Sequence, residues 1–281
     1  MTTVAHPAPA APSSAVSRPS PGARLVSGTV TSMLRVLLNY RHSPGLLAAS
    51  LGVPVVMVVV FGYVFGSAMQ VPGGGDYREF LMPGLFAMVA TNGIMPTMVG
   101  AARDVGRGVT DRLRSMPVSR TGLLLGQTLA DLLVSVVVLA LLALVGLAAG
   151  WRARHGVADA LGAFALLLLF RFVMTWVGTL LGLAVGKEEA AGQLSVVVFP
   201  LAMVTNAYVP TGGMPGWLRA VADWNPISSV VQACRELFGN PSAPGGAWPM
   251  QHALLASLLW SAVLLALCGP LAVRKFATQG R

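Results

Sequence analysis

Two ionisable residues stand inside otherwise apolar stretches of this chain, Asp131 and Arg171. Ionisable groups at membrane depth are costly, and they are kept for ion or substrate pathways or for one another. An acid and a base so placed are the raw material of a proton relay. Counted from the same membrane face, Asp131 lies about nine residues deep and Arg171 about fifteen, a difference of roughly 9 Å at 1.5 Å per residue. An arginine side chain closes that gap if the two helices are neighbours. The plainer alternatives are a structural ion pair, or an arginine that snorkels away from the bilayer centre. One acid–base pair is a thin basis for a relay.

Other chemistry is hard to find. The sequence holds no G-x-x-x-x-G-K-[ST] loop for nucleotide phosphates, no H-E-x-x-H zinc helix and no G-x-S-x-G nucleophile turn. Gly186-Lys187 is followed by Glu188 and Glu189, which would repel phosphate. His6, His42, His155 and His252 are scattered without ligand spacing, and Cys234 and Cys268 make neither a disulfide framework nor a Cys-rich metal site. We therefore assign no catalytic residue and no metal ligand. If the protein does energised work, the energy comes from another chain or from an ion gradient.

The elements that must position these residues are membrane spans. Of 281 residues, 55% are apolar and 10% charged, against roughly 25% charged in a soluble domain. The net charge of +9 therefore reads as membrane orientation rather than nucleic-acid binding. Seventeen of the 19 basic residues are Arg, which with the Ala, Gly and Val content points to a bacterial, GC-rich genome. Residues 1–24 are rich in Pro, Ala and Ser without an apolar run, and read as a disordered tail rather than a cleavable signal. Residues 25–281 form one domain. Six segments are long and apolar enough to cross about 30 Å of hydrocarbon: residues 46–65, 80–102, 123–149, 160–185, 191–209 and 253–273. Lys and Arg are in excess on one side of these spans when both termini are cytoplasmic, which sets the orientation in the cell membrane. The fold class is an all-α polytopic membrane protein.

Three further segments have helical periodicity but are too polar or too short to cross. Residues 25–42 carry Leu25, Val26, Val30, Met33, Leu34, Leu37 and Leu38 on one face beside Arg24, Arg35 and Arg41, an N-terminal interfacial helix. After the second span, DVGRGVTDRLRSMPVSR interrupts the apolar chain with four arginines and two aspartates. Val105, Val109, Leu113 and Met116 share a face, Arg107, Asp111 and Arg114 lie around the other side, and Pro117 ends the turn. That is a short amphipathic helix displayed to the cytoplasm. Simple positive-inside anchoring explains its arginines, but not the interleaved aspartates or the apolar stripe. Between the fifth and sixth spans, Asn225 caps a helix, Pro226 suits its first turn, and Gly239 and Pro241 stop it. Ile227, Val230, Val231, Cys234, Leu237 and Phe238 form one stripe, while Ser228, Ser229, Gln232, Arg235 and Glu236 face the other way. On the outer face this helix dips into the membrane or lids a pathway.

DVGRGVTDRLRSMPVSRTGLLLGQTLADLL and FPLAMVTNAYVPTGGMPGWLRAVADWNPISSVVQACREL together resemble the daunorubicin-resistance branch of the type-2 ABC exporter permeases, over about residues 25–275. Many relatives place a glutamate-rich run at the start of the loop, where this chain has Asp104, Gly106 and GVTDRLRS. The resemblance implies a permease subunit with six spans, paired with a second permease subunit and driven by a separate ABC ATPase that binds ATP and Mg; this chain binds no cofactor of its own. It further implies that Asp104, Val105, Gly106, Val109, Asp111, Arg112, Leu113, Arg114, Met116 and Pro117 form the coupling helix seated on the ATPase. Extracellular re-entrant helices then lie between spans five and six, with Asn225, Pro226, Ile227, Val230, Val231 and Cys234 as an outer gate. The few polar residues of the spans, among them Asn92, Thr97, Gln127, Thr175, Trp176, Thr179 and Asn206, suit an amphiphilic substrate such as an antibiotic, lipid or glycolipid. Met82, Met88, Met95 and Met98 add adaptable surface. A gradient-driven transporter and a non-transporting membrane scaffold are the rival readings.

Overall fold

The computed structural model describes residues 30, 33, 34, 38, 44–66, 71, 74–106, 120–242 and 246–278. The tail 1–24, most of the interfacial segment 25–42 and residues 107–119 lie outside them. Val30, Leu34 and Leu38, four apart, are helical and exposed.

The chain is all-helical in its described residues. Helix α1 (Pro44–Val59) runs on into a π turn, Val60–Phe65. Helices α2 (Tyr77–Thr91) and α3 (Ile94–Gly106) form one rod broken at Asn92-Gly93. Then come α4 (Arg120–Ala148), α5 (Val157–Val185) and α6 (Glu188–Met203). Two short helices, α7 (Gly216–Asp223) and α8 (Pro226–Phe238), precede the four-residue α9 (Trp248–Gln251) and the long α10 (Ala253–Thr278). Among the described residues, four helices are long and apolar enough to cross a membrane: Tyr77–Gly106, Leu125–Ala148, Val157–Val185 and Ala253–Phe276. Leu51–Val64 is apolar but shorter.

Helix α5 is the axis of the bundle and packs against α2, α3, α4, α6, α8 and α10. Its seam with α3 is made by small residues. A Cβ on Gly178 would come within 2.5 Å of the Ile94 carbonyl oxygen, and one on Gly182 within 2.2 Å of that of Met98. This G-x-x-x-G spacing brings two backbones together, the main packing device where lipid removes the hydrophobic drive between helices. By contrast α10 leaves most of its surface uncovered, with Leu255, Leu259, Val263 and Leu267 exposed along it.

One expected span is corrected. Residues 191–209 are not a continuous helix, because α6 ends at Met203. Its 16 residues reach only about 24 Å at 1.5 Å per residue. Local side-chain competition accounts for the break: the Thr205 hydroxyl takes the Ala207 amide at 3.2 Å, and the Ser228 hydroxyl takes the Asn206 amide at 3.1 Å. Irregular backbone at membrane depth is tolerated where protein covers it, and Thr205, Asn206, Ala207 and Tyr208 are all buried.

Candidate functional site

Helix α8 begins and ends where its local residues dictate. The Asn225 side chain accepts from the Ile227 amide at 2.9 Å, Pro226 occupies the first turn, and Gly239 closes the helix at φ +69°. The helix turns back into the bundle between α2, α5 and α10. Ile227, Val230, Val231 and Cys234 all join the main apolar core, and Cys234 lies against the Ala163 carbonyl. In this conformation they face neighbours within the same chain. The expected polar face is a correction: Ser228, Ser229, Gln232 and Arg235 are buried too, and of that face only Glu236 is exposed. The helix is enclosed on both faces up to Arg235, so its periodicity marks no solvent side along most of its length.

Arg235 is the largest fully buried side chain among the described residues. Its Nε donates to the Phe80 carbonyl at 3.0 Å, and its Nη2 to the carbonyls of Asn206 and Ala207 at 2.9 and 3.2 Å. The guanidinium carbon stands 3.6 Å from the centroid of the Phe80 ring, within the cation–π range. Asn225 Nδ2 donates to the Val204 carbonyl at 3.0 Å and the Tyr77 hydroxyl to that of Tyr208 at 2.7 Å. The unwound stretch after α6 is thus tied by side chains from α2, α8 and the cap of α8. It lies directly on α2, where a Cβ on Gly84 would come within 2.2 Å of the Ala207 oxygen.

At mid-depth Asp131 and Arg171 meet. Arg171 Nε and Nη2 donate to the two carboxylate oxygens at 2.8 and 2.7 Å, a bidentate pair joining α4 to α5. Thr175 Oγ1 donates to Asp131 Oδ2 at 3.0 Å. Arg171 Nη1 reaches the Val89 carbonyl at 3.0 Å, in the last turn before the Asn92-Gly93 break. A Cβ on Gly93 would stand 2.7 Å from Arg171 Nε, so the break and the arginine occupy adjoining space. One ion pair therefore fastens three membrane helices.

Ion pairs mark both ends as well. Arg154 grips the buried Glu79 through Nη2 and Nε at 2.6 and 3.0 Å, and these hydrogen bonds hold its pKa above the usual arginine value. Beside them Phe86, Trp151, Phe164 and Phe238 stack with centroids 5.1–5.9 Å apart. At the opposite end Arg103 Nε donates to Glu188 at 2.9 Å, tying α3 to the start of α6.

Asp104, Val105 and Gly106 form the last turn of α3. The helix runs on because Val105 packs with Leu125 around Trp176, Leu183 and Phe276. Val109, Asp111, Arg112, Leu113, Arg114, Met116 and Pro117 lie outside the described residues. Among the described residues no cluster of three or more His, Cys, Asp and Glu could hold a metal. Arg235 is the residue that sequence reading missed. Only an arginine embedded in a stripe-bearing helix could have hinted at it, and helical spacing assigned it to the outside.

A bundle of long apolar helices, pinned at mid-depth by a bidentate ion pair and holding a buried return helix, defines a polytopic membrane protein. The chain belongs to the ABC-2 type transporter family, whose model matches residues 28–238. It is 32% identical over 258 residues to the daunorubicin resistance ABC transporter permease protein DrrB1 of Streptomyces coeruleorubidus, covering 92% of this chain and 88% of that one. It is 21% identical over 249 residues to the probable doxorubicin resistance ABC transporter permease protein DrrC of Mycobacterium tuberculosis, covering 88% of each. A probable multidrug ABC transporter permease of Escherichia coli, YbhR, is 24% identical over 166 residues, 58% of this chain and 44% of that one.

Proposed function

We propose that this chain is the membrane subunit of an ATP-driven exporter, moving an amphiphilic substrate such as an antibiotic, lipid or glycolipid out of the cell. The observation that carries the reading is the likeness to a drug-resistance permease along 92% of the chain. The geometry adds a reason in physical terms. An unwound segment covered by a buried return helix is irregular backbone of the kind that membrane proteins keep within the bundle and away from lipid. Asn92, at the break in the α2–α3 rod, is exposed at mid-depth. An amide there suits a pathway or a second subunit better than hydrocarbon.

In this reading the chain makes six spans, with α1 as the first and α6 plus residues 204–209 as the fifth. Both termini are cytoplasmic, and a second permease subunit completes the path. Residues 104–117 seat on a separate ABC ATPase, which binds ATP and Mg. Arg103 and Glu188 lie at the cytoplasmic end, Glu79 and Arg154 at the outer end, and Ile227, Val230, Val231 and Cys234 close the outer mouth.

The test is assembly. Tagged permease, purified in mild detergent, is expected to bring down an ABC ATPase, and Leu113→Asp is expected to lose that ATPase while leaving the inserted permease intact. Retention of the ATPase by Leu113→Asp would reduce the segment to a topological anchor. No copurifying ATPase in the unaltered protein would favour a gradient-driven transporter or a scaffold.

A further inference from the structure

We infer that Arg235 is a positioning residue for transport: it holds the unwound segment 204–208 against α2 in the present state and exchanges its acceptors when the permease changes state. The inference rests on the exporter reading above and names the element that moves.

The two buried arginines are held differently. Arg171 is locked to a carboxylate across two helices. Arg235, among the described residues, has no carboxylate partner and engages neutral carbonyls and the Phe80 ring. Both arginines make charge-assisted bonds, but only Arg171 adds an opposite full charge in bidentate geometry, so the Arg235 hold is the more readily exchanged of the two.

Unused acceptors lie on the same two segments, α8 and residues 204–208. Asn206 Oδ1, Gln232 Oε1 and Ser229 Oγ are buried without a hydrogen-bond partner. Asn206 is the residue whose carbonyl Arg235 already engages. Gln232 lies three residues before Arg235 on the same helix, a spacing that makes side chains neighbours. A buried acceptor without a donor is an energetic cost in the state that strands it. A second arrangement, in which Arg235 turns from the carbonyls of Asn206 and Ala207 to the Asn206 and Gln232 side-chain oxygens, offsets that cost and releases residues 206 and 207 from the guanidinium while Ser228 and Asn225 keep their bonds to the segment. One donor set with two acceptor sets is the requirement for a two-state element.

Residue 207 meets α2 at the bare backbone of Gly84, while Ala207 and Tyr208 also pack into the main apolar core. The remaining tie to α2 is the single Tyr77 hydroxyl bond to Tyr208.

Hydrogen exchange of the assembled permease–ATPase complex reads this directly, without a substrate. With ATP, Mg and vanadate against nucleotide-free protein, the amides of 204–208 are expected to change exchange rate by about fivefold or more, the scale of one net hydrogen bond. Arg235→Lys loses the planar multi-donor fork and is expected to abolish that difference, while the ATP-dependent change near Val105 persists. Gln232→Leu removes an acceptor unused in the present state. A purely structural role predicts a lower melting temperature with the ATP-dependent difference kept, because the Gln232 Nε2 bond to Glu236 at 3.0 Å is lost, whereas exchange predicts loss of the ATP-dependent difference itself. Tyr77→Phe is expected to speed exchange at Tyr208 in both states. If Arg235→Lys fails to fold, the Gln232 variant decides. An ATP-responsive complex whose 204–208 amides are insensitive, or a Gln232→Leu protein that keeps the difference, overturns this inference alone. A permease that never assembles with an ATPase overturns the exporter reading and this inference with it.

Discussion

Asp131→Ala is expected to remove most of the folded, membrane-inserted protein. The substitution strands the Arg171 guanidinium, only 9% exposed, at mid-depth. Breaking a buried pair by deleting one partner costs about 3–5 kcal/mol, because the remaining charge has no compensation. The loss spreads beyond two helices, since Arg171 also serves the Val89 carbonyl beside the break in the α2–α3 rod. Removing both charges is a different matter, because apolar replacement of a whole buried pair is often neutral or stabilising. Asp131→Leu with Arg171→Met should therefore recover much of the melting temperature that Asp131→Ala loses. If the double variant also restores transport, the pair serves structure. If it folds but cannot transport, the pair belongs to the pathway. A stable, fully inserted Asp131→Ala protein would contradict the ion pair as the fastening of the bundle.

The second large effect is expected along the α3–α5 seam. Ala at Gly182 places a methyl carbon about 2.2 Å from the Met98 carbonyl oxygen, and Ala at Gly178 one about 2.5 Å from that of Ile94. Neither obstacle is the far end of a flexible side chain, so the helices themselves must separate. Overpacking of this kind costs about 1–3 kcal/mol per site, occasionally more. The double variant Gly178→Ala/Gly182→Ala should unfold in detergent well below the unaltered protein. Gly162→Ala on the same helix, where a Cβ would meet nothing within 4 Å, is the control and should be silent. Equal melting temperatures for the seam variant and the control would show that the helices pack otherwise.

What was legible in the sequence was local or compositional. The start and stop of α8 were readable because Asn225, Pro226 and Gly239 act through their own backbone neighbours. Asp131 and Arg171 stood out because charge is rare in apolar runs, and helix rise put them within an arginine's reach only on the condition that their helices were neighbours, which the contact between α4 and α5 supplies. What escaped depended on neighbours remote in sequence. Arg235 draws its acceptors from residues 155, 29 and 28 positions away, and no spacing rule on α8 could place it inside. The end of α6 at Met203 escaped for a related reason. Residues 204–209 are apolar enough to extend a span, and the hydroxyl that takes the Asn206 amide comes from Ser228, in another helix. The Gly178–Gly182 seam did have a sequence signal, the G-x-x-x-G spacing, but it says nothing of which helix lies opposite.

The exporter reading stands or falls on what drives movement. The most direct measurement is uptake of a panel of amphiphilic drugs and lipids into inside-out vesicles that hold this permease with its copurifying ATPase. The account predicts accumulation that requires ATP and Mg, stops with a hydrolysis-dead ATPase or with Leu113→Asp in the permease, and survives collapse of the proton gradient. Accumulation that ignores ATP, or that collapses with the proton gradient while ATP remains, would contradict it and make this chain a gradient-driven transporter.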